Sequence, residues 1–112
     1  MKEGDIVLTA IPQSDNKMKN RPVLLLRRMP GYGDYLACGV STQIHQLIKD
    51  FDELISENDA DFTHSGLLKE SIIRLGFLAV LPVRNIIGTI GNISAKRQNL
   101  LLNRLSKYLI KK

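Results

Sequence analysis

No acidic residue follows Glu70, the chain has a single cysteine, and aromatic residues make up only 5% of it. The lone Cys38 rules out an intrachain disulfide and a cysteine metal cluster. Its setting, Tyr35-Leu36-Ala37-Cys38-Gly39-Val40, suits a small buried hydrophobe. Two histidines, His45 and His64, stand too far apart for a metal motif, and no acidic residue has the spacing to add a third ligand. Neither a metal nor a cofactor is expected. Long apolar runs are missing too. The charged start Met1-Lys2-Glu3-Gly4-Asp5 leads into an apolar run only from Ile6 to Leu8, and no later run reaches membrane-spanning length. The expectation is a cytoplasmic protein with no membrane partner.

The 112 residues, 44% hydrophobic and 24% charged, suit one domain over 1–112 with a modest core. Charge is unevenly placed along it. Residues 1–48 carry six basic and four acidic side chains, 49–70 carry two against seven, and 71–112 carry eight against none. A basic final third attracts a polyanion, and it attracts an acidic protein equally well.

Apolar patterning predicts a β-rich opening. Gly4 to Ile11 is a β-branched-rich run ended by Pro12, Gln13 to Asn20 is a polar loop, and Pro22 to Arg28 and Tyr35 to Val40 are further strands around the turn Met29 to Asp34. Beyond Ser41 the period changes. Ile44, Leu47, Ile48, Phe51, Leu54 and Ile55 recur at helical spacing, which predicts an amphipathic helix over 43–57 with an acidic outer face. Ser71 to Pro82 and the glycine-marked Ile86 to Ile93 read as strands, the latter bent at Gly88 and Gly91. Ser94 is placed to cap a final helix with Leu101, Leu105 and Leu109 on one stripe. Together these describe a small, strongly bent sheet, closed into a barrel or half-barrel, with one inserted and one C-terminal helix.

Arg21 is the residue that suggests chemistry. In Asn20-Arg21-Pro22-Val23 it stands at the mouth of a strand, where a guanidinium is ready to bind phosphate, although an arginine ending a loop is also a common solvated charge. Four segments in order then resemble the MazF/PemK family of type II toxins: Gly4-Asp5-Ile6-Val7, Asn20-Arg21-Pro22-Val23-Leu24, Val40-Ser41-Thr42-Gln43-Ile44, and Gly66 to Leu75. Their order and spacing run through most of the chain.

The resemblance implies a mainly β, SH3-like barrel with helices, usually a homodimer, silenced by a cognate antitoxin. It also implies metal-free cutting of single-stranded RNA by the ribose 2′-hydroxyl, leaving 2′,3′-cyclic phosphate and 5′-hydroxyl ends. The family's catalytic arginine falls on Arg21, and its catalytic threonine falls on Ser41. Arg21 suits stabilisation of charge on the phosphoryl oxygens and not proton abstraction, because a guanidinium stays protonated at neutral pH. Ser41 can orient the 2′-hydroxyl or donate to a phosphoryl oxygen; it or Thr42 can equally cap the middle helix.

Candidates for the general base are His45, four residues after Ser41, and His64 in the polar loop; both also read as solvated side chains. Arg74 matches an arginine that some relatives pair with an acid two positions later, a position held here by Gly76. It binds phosphate or simply faces outward. Further RNA contacts are expected from Lys17, Lys19, Asn20, Thr42 and Gln43, and Tyr32 and Tyr35 either stack a base or pack on the barrel. The rival expectations are a non-catalytic SH3-like module that binds nucleic acid or an acidic peptide, and an inactivated toxin homologue.

Overall fold

In the computed structural model, which describes residues 1–12 and 14–112, the apolar runs of the first forty residues form three strands, β1 (Asp5–Pro12), β2 (Met18–Arg28) and β3 (Tyr35–Ser41). Their middles are continuously apolar because both faces are covered. Ile6, Leu24, Leu26, Cys38 and Val40 point into the larger core, while Val7, Val23, Leu25, Tyr35 and Ala37 form a smaller one behind it. Three more strands follow, β4 (Glu53–Ile55), β5 (Ser71–Leu81) and β6 (Ile86–Asn92), giving one six-stranded antiparallel sheet in the order β4-β5-β3-β2-β1-β6. The sheet curls into a half-barrel, the mainly β architecture expected from the sequence.

Its two edges are brought together by a short helix, α1 (Phe62–Ser65), lying against β6. The approach is backbone to backbone. Gly66 ends α1 at φ +75°, where a Cβ would overlap the Ile90 carbonyl, and a Cβ on Gly91 would overlap the His64 and Ser65 carbonyls. Only glycine fits both places. Register shifts between β1 and β6, at Ile6/Val7 and Leu8/Thr9, supply the bend there.

The C-terminal helix α2 (Ala95–Leu109) caps the larger core with Leu101 and Leu105. Ser94 is its N-cap, accepting the Arg97 amide at 3.1 Å. Leu109, expected on the same stripe, lies past the edge of the core and is 67% exposed.

Two expectations are corrected. The helix expected over 43–57 is absent: a 3-10 turn at Ile44–Gln46, a bend and β4 occupy that stretch. Asp50 adopts φ +63°, and the Asp52 carboxylate takes the amides of Ile48 at 2.9 Å and Leu75 at 3.2 Å. The carbonyls of Asp52 and Leu54 accept from the Arg104 and Arg97 guanidiniums at 3.0 Å each, not from amides one helical turn on. The long polar loop is also shorter than expected. β2 begins at Met18 and pairs with β1 through Pro12↔Met18, so Lys19 and Asn20 belong to a strand; Gln13, the first residue of the expected loop, lies outside the described residues. Pro22 is thus inside β2, where β2 has no bonds yet to β3, whose pairing starts at Val23.

Candidate active site

Strand register assembles the site. Val23 pairs with Gly39, and Gly39 pairs with Arg74, forming one row across β2, β3 and β5. Side chains two residues apart share a face of a sheet. Two residues further along, past the last β2–β3 pair, Arg21 of β2 and Ser41 of β3 therefore fall on the face that Arg74 also occupies, and all three line one groove. Thr9 of β1 pairs with Arg21 on the other side. Its hydroxyl donates to the Asn85 carbonyl at 2.9 Å, which ties this end of β1 to the turn before β6.

These residues line a groove of about 1050 Å³ that runs over the sheet between the start of β2 and the 66–69 loop. Arg21, Ser41, Thr42, Gln43 and Arg74 all stand on its wall. Its floor is apolar, with Val23, Ala37 and Leu81 among the contributors. The described wall includes no histidine, aspartate or glutamate, and it gains a third cation, Lys69.

The Ser41 hydroxyl oxygen accepts the Gln43 amide at 3.0 Å. This is a local turn bond and not a cap on a long helix, and it leaves the hydroxyl hydrogen for a ligand oxygen.

Arg74 is held by two contacts. Nη1 donates to Gln46 Oε1 at 2.8 Å, and the guanidinium carbon stands 3.8 Å from the centroid of the Phe77 ring. That stacking depends on a bulge. β3 pairs Cys38 with Leu78 and the next residue, Gly39, with Arg74, so Leu75, Gly76 and Phe77 are extra residues in β5. The position two beyond Arg74 is Gly76, and the ring of Phe77, one further on, meets the guanidinium.

The remaining candidates lie elsewhere. Lys17 is at the exposed tip of the β1–β2 hairpin, with Lys19 and Asn20 exposed at the start of β2, and none of the three lines the groove. His45 is exposed in the 3-10 turn, so a one-turn helical relation to Ser41 does not exist, and His64 is exposed on α1; neither reaches the groove wall. Tyr35 is buried with its hydroxyl donating to the Met1 carbonyl at 3.2 Å, and Tyr32 is 95% exposed at a turn away from the groove. Sequence reasoning misses Lys69 and Phe77. Lys69 is legible there, since it lies in the Gly66 to Leu75 segment; Phe77 is not, because only the bulge turns it toward the groove.

Three acidic residues of the middle segment, Glu53, Asp59 and Asp61, are held by α2. Arg97 makes a two-pronged bond to Asp61, at 2.9 and 3.0 Å, and adds Asp59 at 3.1 Å and Glu53 at 3.6 Å. Asp61 also accepts the Ser94 amide at 3.0 Å. Chiefly through the Arg97 bond, the Asp61 carboxyl is held down to about 2. Arg104 stands 3.7 Å from Glu53. Burial pushes the Cys38 thiol well above its ordinary range, which keeps it protonated.

Among the described residues no three histidine, cysteine, aspartate or glutamate side chains are grouped to hold a metal ion, and no helix is long and apolar enough to cross a membrane.

Comparison with known proteins agrees with this architecture. The family model described as "PemK-like, MazF-like toxin of type II toxin-antitoxin system" matches residues 2–109. No curated protein matches the chain in a sequence search. Among solved structures, the Mycobacterium tuberculosis toxin MazF-mt6 shares the fold with a TM-score of 0.67 at 20% identity, covering 94% of this chain and 95% of that one.

Proposed function

The chain belongs to the PemK-like, MazF-like toxins of type II toxin-antitoxin systems, and we propose that it is a metal-independent endoribonuclease acting on single-stranded RNA. The observation that carries this reading is the cross-strand placement of Arg21 and Ser41 on a groove wall that also carries Arg74 and Lys69. In the reaction, the ribose 2′-oxygen forms a bond to phosphorus as the bond to the 5′-oxygen breaks. A 2′,3′-cyclic phosphate results, and the departing 5′-oxygen leaves as a hydroxyl. Charge gathers on the non-bridging oxygens meanwhile, and Arg21 answers it with several donors. Ser41 donates its free hydroxyl hydrogen to a phosphoryl oxygen or orients the nucleophile. Thr42, Gln43 and Arg74 position the strand, and Lys17, Lys19 and Asn20 on the neighbouring hairpin attract its flanking phosphates.

The protein is a single toxin domain that works in the cytoplasm as a homodimer and is silenced by a cognate antitoxin whose acidic segment competes for the cationic groove. Purified protein in EDTA should cut an unstructured RNA and leave cyclic-phosphate ends. Arg21→Ala should lower the rate by a factor of about 100 to 1,000, the usual cost of losing one donor to a developing anion, with the melting temperature unmoved. Ser41→Thr should retain or raise activity. RNA left whole over a wide range of pH and sequence would move the assignment to a non-catalytic binding module.

A further inference from the structure

The geometry points to a nucleobase-stacking subsite built from Phe77 and Arg74 on the groove wall, which takes one unpaired base of the bound strand. It rests on the RNA reading and adds the residue that holds a base, where the residues above hold phosphates.

Every other aromatic ring lies away from the groove. The chain has three phenylalanines, three tyrosines and no tryptophan. Tyr35 is buried, Phe62 packs on the larger core, Phe51 and Tyr108 meet in a tilted pair at 5.0 Å, and Tyr32 is away from the groove. Phe77 is the one ring on the described groove wall, and it is 57% exposed. A large apolar ring left open in a groove with three cations has the composition of a single-strand platform, where backbone charge is met by Lys and Arg and a base by a π-face.

Arg74 fixes that platform. Its guanidinium covers one side of the ring at 3.8 Å, and its Nε is buried with no partner among the described residues. Gln46 holds the other end of the fork. Ring and guanidinium therefore offer a preset stacking surface in the groove that Arg21 and Ser41 also line, and Gly39, paired with Arg74, adds no side chain to obstruct it. The rival occupant is a second protein copy, since Leu78 and Val80 are also exposed on this strand. Val80 lies outside the groove lining, however, whereas the ring and its cation lie inside it.

Because the chain has no tryptophan, Phe77→Trp introduces a single reporter. Binding of a 2′-O-methyl pentanucleotide, which lacks the nucleophile, should quench its emission, and inorganic polyphosphate should not. Phe77→Ala should weaken the pentanucleotide about five- to hundredfold without changing the salt dependence. Phe77→Leu separates stacking from mere apolar contact: stacking makes it as weak as alanine, and protein burial makes it as good as phenylalanine.

Bound oligonucleotide with unquenched emission from the Phe77→Trp reporter, or full affinity in Phe77→Leu, overturns the subsite and leaves the ribonuclease reading standing. Emission already quenched or blue-shifted in the free protein, and reversed on dilution, assigns the ring to a second copy and also overturns it. If the unsubstituted protein binds no oligonucleotide even at low salt, both readings fail.

Discussion

Asp61→Asn should lower stability by about 2 kcal/mol at neutral pH, and the loss should vanish in acid. Replacing the carboxylate by an amide keeps the shape and an acceptor for the Ser94 amide, and removes the charge that Arg97 meets at 2.9 and 3.0 Å. Asp61 drops from 3.8 to about 2 on folding, and at roughly 1.4 kcal/mol per unit that shift converts to about 2 kcal/mol. The sign follows from its direction. A depressed carboxyl stabilises the fold fully above its unfolded value of 3.8 and ceases to do so as the pH falls toward 2. For a chain of this size the effect corresponds to about 8 °C in melting temperature, a large share of a stability of roughly 5–15 kcal/mol. Thermal unfolding of both proteins, followed by circular dichroism from pH 7 to pH 2, measures it. Equal melting temperatures at pH 7, or a difference that persists unchanged at pH 2, would refute the argument.

Gly91→Ala should destabilise by about 3 kcal/mol or more, because the added methyl meets the backbone carbonyls of His64 and Ser65, whereas Gly88→Ala, with nothing within 4 Å, should change little. Urea unfolding compares the two, and similar losses would mean that α1 does not close the barrel by contact with β6. His45→Gln and His64→Gln should both keep RNA cleavage within a few-fold, since neither side chain reaches the groove wall. A hundredfold loss in either, with the fold intact by circular dichroism, would identify a base that moves in on binding.

The sequence made the strands and the C-terminal helix legible where side-chain period and burial coincide. Ile6, Val23 to Leu26, Ile72, Ile73 and Leu75 are apolar because they are enclosed, and Ser94 caps α2 by the rule that picked it out. The stretch 43–57 misled for a physical reason. Its apolar spacing is helical, yet Ile44 and Ile48 end up exposed, and Asp52 and two distant arginines take the amides and carbonyls a helix needs. No local pattern carries that information, for Arg97 and Arg104 are some forty to fifty residues away. Arg21 and Ser41 stood out as residues. Their sharing one groove wall depends on strand register, and Phe77 depends on a bulge that nothing in the spacing announces.

Charge follows the same logic. The sequence separates an acidic middle from a basic end, which by itself suggests a basic tail for a polyanion. Folding instead sets Arg97 and Arg104 of that end against Glu53, Asp59 and Asp61, so two cations of the basic block and three carboxylates of the acidic one meet on the α2 side of the barrel. Cations left to face the groove come from three separate places: Arg21 in β2, Lys69 in the loop after α1, and Arg74 in β5. No carboxylate stands on the described wall to offset them, and the apolar floor beneath strengthens their field on a phosphate. With Arg74 pinned by Gln46 and Phe77, part of that field is already oriented before any ligand arrives, and preset charge meets an anion without the cost of reorganising the groove.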